Sequence, residues 1–108
     1  FFCASTHEEA ITKARAGFET KYRVYREQGL HGSDEELARK VTGDLETLME
    51  ETFVLGSPEE CLEQIEEYKN MGFTDVIVRL FYPEMSQTEA LEHISLVGEK
   101  VIPEMHRL

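Results

Sequence analysis

One arginine inside an apolar run is the residue in this chain with the clearest chemical promise. Arg79 lies within Val76-Ile77-Val78-Arg79-Leu80-Phe81-Tyr82. Strand parity puts it on the face of Ile77 and Phe81, opposite Val76, Val78 and Leu80. A guanidinium there would pair with a phosphate or a buried carboxylate; the plainer alternative is an ion pair with a glutamate on a neighbouring loop. Gly56-Ser57 opens a helix, and helix N-termini offer free N–H groups to phosphates. Here Pro58 deletes one donor, and Glu59 and Glu60 put negative charge where an anion would sit, which favours simple capping.

The four histidines, His7, His31, His93 and His106, stand apart in the sequence. None has a second ligand at the i+3 or i+4 spacing that zinc sites use. Glu89 and His93 share a helical face and read as a carboxylate–imidazole surface pair. Cys3 and Cys61 are the only cysteines, with no C-x-x-C, which reads as two free thiols in a reducing cytoplasm. There is no G-x-S-x-G, no P-loop and no G-x-G-x-x-G, so nucleophilic hydrolysis and Rossmann-type binding have no support.

These residues need elements to hold them, and the helix starts are well marked. Ser57 is an N-cap, Pro58 takes the first helical position, and Glu60 completes a capping box. Cys61, Leu62, Ile65, Tyr68 and Met71 recur at helical spacing, leaving Glu63, Glu66, Glu67 and Lys69 for water. Gly72 suits the left-handed position that ends such a helix. The run Val76–Tyr82 does not alternate, and a near-continuous apolar run after a helix predicts a parallel strand covered on both faces.

Upstream, Phe1–Ala4 predicts a short buried strand. Thr6-His7-Glu8-Glu9 is a second capping box, and Ala10, Ile11, Ala14, Phe18, Tyr22 and Tyr25 form the buried stripe of a helix ending near Gln28. Gly29–Gly32 is a loop. Ser33-Asp34-Glu35-Glu36 is a third box, with Leu37, Val41, Leu45 and Leu48 on one face. Thr42-Gly43-Asp44 interrupts that stretch, leaving one kinked helix or two short ones. Ser86-Gln87-Thr88-Glu89 is a fourth box, and Ala90, Leu91, Ile94, Val97, Val101 and Met105 form its core stripe. Pro103 removes a helical hydrogen bond and predicts a kink in the last turns.

At 108 residues the chain is one domain or less. Acidic residues outnumber basic ones 22 to 11, for a formal charge of −11. That balance argues against nucleic acid and anionic membrane as partners, since both need clustered Lys and Arg. No apolar run approaches transmembrane length. The chain opens without an initiator Met inside the apolar run Phe1-Phe2-Cys3-Ala4, and reads as cut within a strand.

Taken together, the order of motifs resembles the C-terminal part of luciferase-like monooxygenases, the flavin- or deazaflavin-dependent enzymes of the bacterial luciferase superfamily. The residues that carry the resemblance are the T-x-E-E-A helix entry at Thr6–Ala10, Gly56-Ser57-Pro58-Glu59-Glu60, Gly72, Asp75–Arg79, and Val101-Ile102-Pro103. One departure is that many members have P-G-M where this chain has Pro83-Glu84-Met85. The resemblance implies that residues 1–108 are a helix-rich C-terminal segment of a TIM (β/α)8 barrel, with Phe1–Ala4 as the seventh strand and Asp75–Phe81 as the eighth.

It further implies an oxidoreductase parent using FMN or the deazaflavin coenzyme F420 on a small-molecule substrate, with Arg79 as a cofactor-binding residue. The segment alone would hold no cofactor and no metal and would be inactive, and no catalytic residue is assignable in it. The rival expectation is a stand-alone, non-enzymatic α/β module that works by oligomerising. Under either expectation, open strand edges predict a homo-oligomer.

Overall fold

Two very short parallel strands organise the structure, a computed structural model that describes residues 1–27, 45–82 and 84–108. β1 (Phe2–Cys3) pairs with β2 (Leu55–Gly56), with Phe2 opposite Leu55 and Cys3 opposite Gly56. The ladder runs one bond further at each end: Phe2 N–H donates to the Val54 carbonyl at 2.9 Å and Ala4 N–H to that of Gly56 at 3.0 Å. Around this pair lie α1 (His7–Glu27), α2 (Leu45–Thr52), α3 (Pro58–Asn70), α4 (Gln87–Lys100) and α5 (Ile102–Met105). The protein is α/β, mostly helical, with a two-stranded parallel sheet.

Alternation along β1 divides the core. Phe2 and Ala4 face one way and pack with Ala10, Ile11, Ala14 and Phe18 of α1, with Met49 of α2 and with Leu55. Cys3 faces the other way and packs with Cys61 and Ile65 of α3, Val97 of α4, and Val101. Parallel strands bury both faces because their crossovers lay helices on each side, and here even a strand this short is covered that way. Phe18 meets Phe53 edge-to-face at 4.8 Å between ring centroids, a favoured aromatic geometry.

The capping chemistry forms largely as the sequence predicts. At Ser57 and at Ser86 both halves of the capping box are present. At Thr6 only one half forms: Glu9 N–H donates to Thr6 Oγ1, while the Glu9 carboxylate goes to Lys13 at 2.7 Å. Gly72 has φ +104° after the C-cap of α3. The helix breaks at Val101 between α4 and α5, with Pro103 in the first turn of α5.

Three expectations need correction. Val76–Tyr82 is not a buried strand: it carries no ladder, Ile77 is 100 % exposed, and Val76 and Phe81 are exposed as well. The physical reason is that no described strand lies beside it and no helix covers the Ile77 face. The closest approach to a ladder bond is taken by the His93 ring, inserted between Leu80 and Cys3. On α3, Cys61 and Ile65 are buried but Tyr68 and Met71 are exposed, because the stripe runs past the end of the sheet. On α4 the inward face is Ala90, His93, Val97 and then Val101, while Leu91 and Ile94 point to solvent. The Gly29–Gly32 loop, the Ser33–Glu36 box, the Thr42–Asp44 interruption, Pro83 and the side chains of Tyr22 and Tyr25 lie outside the described residues.

Candidate functional site

A cleft of about 200 Å³ opens where β1 ends, lined in part by Ala4, Ser5, Glu9, Lys13, Glu89 and His93. Its position follows from the fold: α1 and α4 both start beside the carboxyl end of β1, the end where open α/β sheets bind ligands. Lys13 is held by Glu9, and Glu89 is drawn back toward the Ser86 N–H. With Glu92 also in the wall, carboxylates outnumber the single lysine among these residues. The cleft therefore suits a neutral or cationic group better than a phosphate.

His93 forms the floor, and it is the buried polar residue that joins the parts. Cys3 N–H donates to His93 Nε2 at 3.0 Å, and His93 Nδ1 lies 3.0 Å from the Leu80 carbonyl oxygen. A carbonyl only accepts and an amide N–H only donates, so the ring is the neutral tautomer with its proton on Nδ1. It also stacks on Phe2, 4.6 Å between centroids. Burial pushes its pKa down, against the Leu80 bond that raises it. With both nitrogens engaged, His93 is a joint between β1, α4 and the 76–82 stretch rather than a general base. Tyr82 completes the joint: its hydroxyl donates to the Phe1 carbonyl at 2.6 Å, and burial pushes its pKa up to about 12.

His7 shows the opposite electrostatics. Its Nδ1 lies 3.1 Å from Glu60 Oε2 and its Nε2 3.1 Å from Glu50 Oε1. Ionised carboxylates only accept hydrogen bonds, so the imidazolium alone satisfies both partners. Burial lowers the His7 pKa, but the bonds to Glu50 and Glu60 and their charges outweigh it, and the net shift is upward. A histidine raised in the folded state stabilises fully below its unfolded pKa, near 6.5, and loses that contribution as pH rises through the folded value. His7→Gln is expected to remove this alkaline loss from a plot of thermal midpoint against pH. The difference should shrink in 1 M NaCl, because the cluster is partly exposed and screened.

The remaining candidates contribute less. Cys3 and Cys61 are free and buried; the bond to Cys3 and burial push the Cys61 thiol up, which makes it a core residue rather than a nucleophile. Arg79 is exposed on the 76–82 stretch, facing with Ile77 and Phe81 as parity predicts, and is not part of the cleft wall. No group of three or more His, Cys, Asp or Glu among the described residues could hold a metal ion. The acidic wall of this cleft opposes a phosphate group. Among the described residues no helix is long and apolar enough to cross a membrane.

His93 and His7 are the two residues that sequence reasoning undervalued. His93 is not the surface partner of Glu89. The signal that could have found it is its place on the Ala90–Val97 face, where i, i+3, i+7 spacing leaves no solvent for a side chain. His7 had no such signal, since Glu50 and Glu60 reach it through tertiary packing. Comparison with known proteins finds no matching family model, no matching curated protein and no matching solved structure.

Proposed function

We propose that residues 1–108 are the C-terminal part of a luciferase-like flavin- or deazaflavin-dependent oxidoreductase, built on a TIM barrel. The observation that carries the reading is the parallel pairing of β1 with β2 across a helical connection, with helices on both faces. Each strand leads into a helix at the motif the resemblance names, Thr6–Ala10 after β1 and Gly56–Glu60 after β2. A further support is Glu84, whose φ of 71° lies in the left-handed region. Glycine adopts that region freely, and the family's P-G-M has glycine at this place. In such an enzyme the reduced flavin supplies the redox chemistry. This segment would supply strands, outer helices and Arg79, a guanidinium suited to a cofactor phosphate.

The test is to compare the 108-residue chain with the same chain extended by its upstream coding sequence. FMN and coenzyme F420 should show no saturable binding to the first, whereas one of them should bind the second. There Arg79→Ala should weaken binding by about tenfold to a hundredfold, the range for a charged hydrogen bond. An initiator codon directly before Phe1 would overturn the reading.

A second reading is favoured by one specific observation. Phe73, Val76, Ile77 and Phe81 form an apolar stretch open to solvent, as expected of a non-enzymatic α/β module that works by self-association.

A further inference from the structure

The stretch Phe73-Thr74-Asp75-Val76-Ile77-Val78-Arg79-Leu80-Phe81 is nearly its own complement when reversed about Ile77. Residues equidistant from that centre are complementary at three of four positions, Val76 with Val78, Asp75 with Arg79 and Phe73 with Phe81, while Thr74 faces Leu80. Two copies running antiparallel across a two-fold axis at Ile77 would set each Asp75 against the partner copy's arginine and each Phe73 against its phenylalanine. We propose that this stretch is a strand-pairing surface whose occupant is the same stretch of a second copy of the chain. The inference rests on the self-association reading above. Within a closed barrel the same edge would be covered by neighbouring strands.

Three observations support this pairing over others. First, exposure alternates from Ile77 to Tyr82, with Ile77, Arg79 and Phe81 exposed and Val78, Leu80 and Tyr82 less so, which is the period of an extended chain. Side chains that point to alternate sides are what a strand partner needs.

Second, the side of the backbone that is free matches the register. In an extended chain the N–H and C=O of one residue point the same way, and those of its neighbour the other way. The Leu80 carbonyl points inward, to His93 Nδ1, so the peptide groups of Asp75, Ile77, Arg79 and Phe81 face outward. No backbone hydrogen bond within the protein uses those four among the described residues. A two-fold at Ile77 places these outward-facing residues directly opposite one another, so that Ile77 and its copy exchange both N–H···O bonds. A two-fold at Val76 or Val78 would also pair outward-facing residues, Asp75 with Ile77 or Ile77 with Arg79, but would set no aspartate opposite an arginine.

Third, charge selects this register within a chain of formal charge −11. General repulsion opposes self-association of so acidic a protein. The pairing offsets it locally with two cross-strand Asp–Arg pairs, whereas like charges directly opposite destabilise a sheet. The interface is isologous, as two-fold dimers require. The edge-on apolar contribution comes from Ile77 at the axis and the two Phe73–Phe81 pairs, all solvent-exposed in the single chain.

The experiment is a charge-swap cycle read by sedimentation equilibrium of the 108-residue chain, with far-UV circular dichroism on every variant. The wild-type chain should be a concentration-dependent dimer. Asp75→Arg and Arg79→Asp should each raise the dissociation constant about tenfold or more, since each sets like charges opposite at two symmetry-related positions. The double variant Asp75→Arg/Arg79→Asp should return it to near the wild-type value. Ile77→Asp should give monomers with an unchanged dichroism spectrum, because that side chain is fully exposed in the chain. A wild-type chain that stays monomeric overturns the self-association reading itself. A dimer that Ile77→Asp leaves intact, or in which the double variant is no better than the singles, overturns this register while leaving self-association standing.

Discussion

Replacing Gly56 with alanine is expected to destabilise the protein by roughly 2–4 kcal/mol, the sum of backbone strain and a lost helix cap. Gly56 has φ +141°, a region where a side chain is strained. A Cβ there would also run into the Oε2, Cδ and Cβ atoms of Glu60. That carboxylate cannot simply move aside, because it accepts the Ser57 N–H at 2.8 Å and meets His7 Nδ1 at 3.1 Å. Those bonds hold the Glu60 carboxyl below its ordinary range, the Ser57 N–H contributing most. The Gly56 carbonyl is fixed too, accepting the Ala4 N–H that closes the ladder. Alanine at this position therefore opens the capping box, loosens His7 and strains the sheet together. Urea unfolding checks it against two comparators. Ser57→Ala removes the cap without strain and should cost about 1 kcal/mol. Gly72→Ala meets strain at φ +104° but no neighbour within 4 Å, and should also cost less than Gly56→Ala. If Gly56→Ala is no worse than Gly72→Ala, the packing of Glu60 against the glycine is not what the backbone needs.

That comparison also shows which parts of the fold were legible in the sequence. Helix starts are local chemistry: Ser57 and Glu60, or Ser86 and Glu89, are close enough in the chain to satisfy each other's backbone wherever the helix lies. The stripe Ala10, Ile11, Ala14 and Phe18 was legible for the same reason, because one helix of fixed period carries it. Strand pairing was not. The rule that a covered parallel strand reads as continuous apolar sequence holds here for Phe2–Cys3, whose neighbours are Phe1 and Ala4. Val76–Tyr82 satisfies the same composition but lacks a described strand to pair with, so the apolar run stays outside the sheet. Leu55–Gly56, a short extended piece before Ser57, joins the sheet through a partner far off in the chain. Arg79 shares its exposure with Ile77 and Phe81, and what surrounds such a side chain depends on which elements pack against the stretch, which its own residues do not encode. The candidate site was less legible still. Its floor is a histidine whose partners lie 13 and 90 residues away, beyond the reach of any motif.

His93→Leu is expected to cost about 2–4 kcal/mol at neutral pH, mainly by stranding a buried donor. The Cys3 N–H that bonds Nε2 belongs to a residue 2 % exposed, and leucine offers it nothing. The Leu80 carbonyl loses its donor as well, and the 76–82 stretch loses one of its ties to β1. The pH dependence separates this role from simple packing. Burial depresses the His93 pKa in the folded state, so the folded ring stays neutral where the unfolded ring takes a proton. Stability is therefore complete above the unfolded value near 6.5. It falls as pH drops below that, and levels off below the folded pKa. Protonation would give Nε2 a hydrogen aimed at the Cys3 N–H, two donors facing each other. The slope has the opposite sign to the one His7 contributes, so measuring both proteins in a His7→Gln background isolates it. Chemical denaturation between pH 5 and 8 should show the acid-side loss with His93 present and a flatter profile with leucine. A leucine variant as stable as the parent, or one that keeps the parent's acid slope, would mean that the ring between Leu80 and Cys3 is not the joint that holds this surface to the sheet.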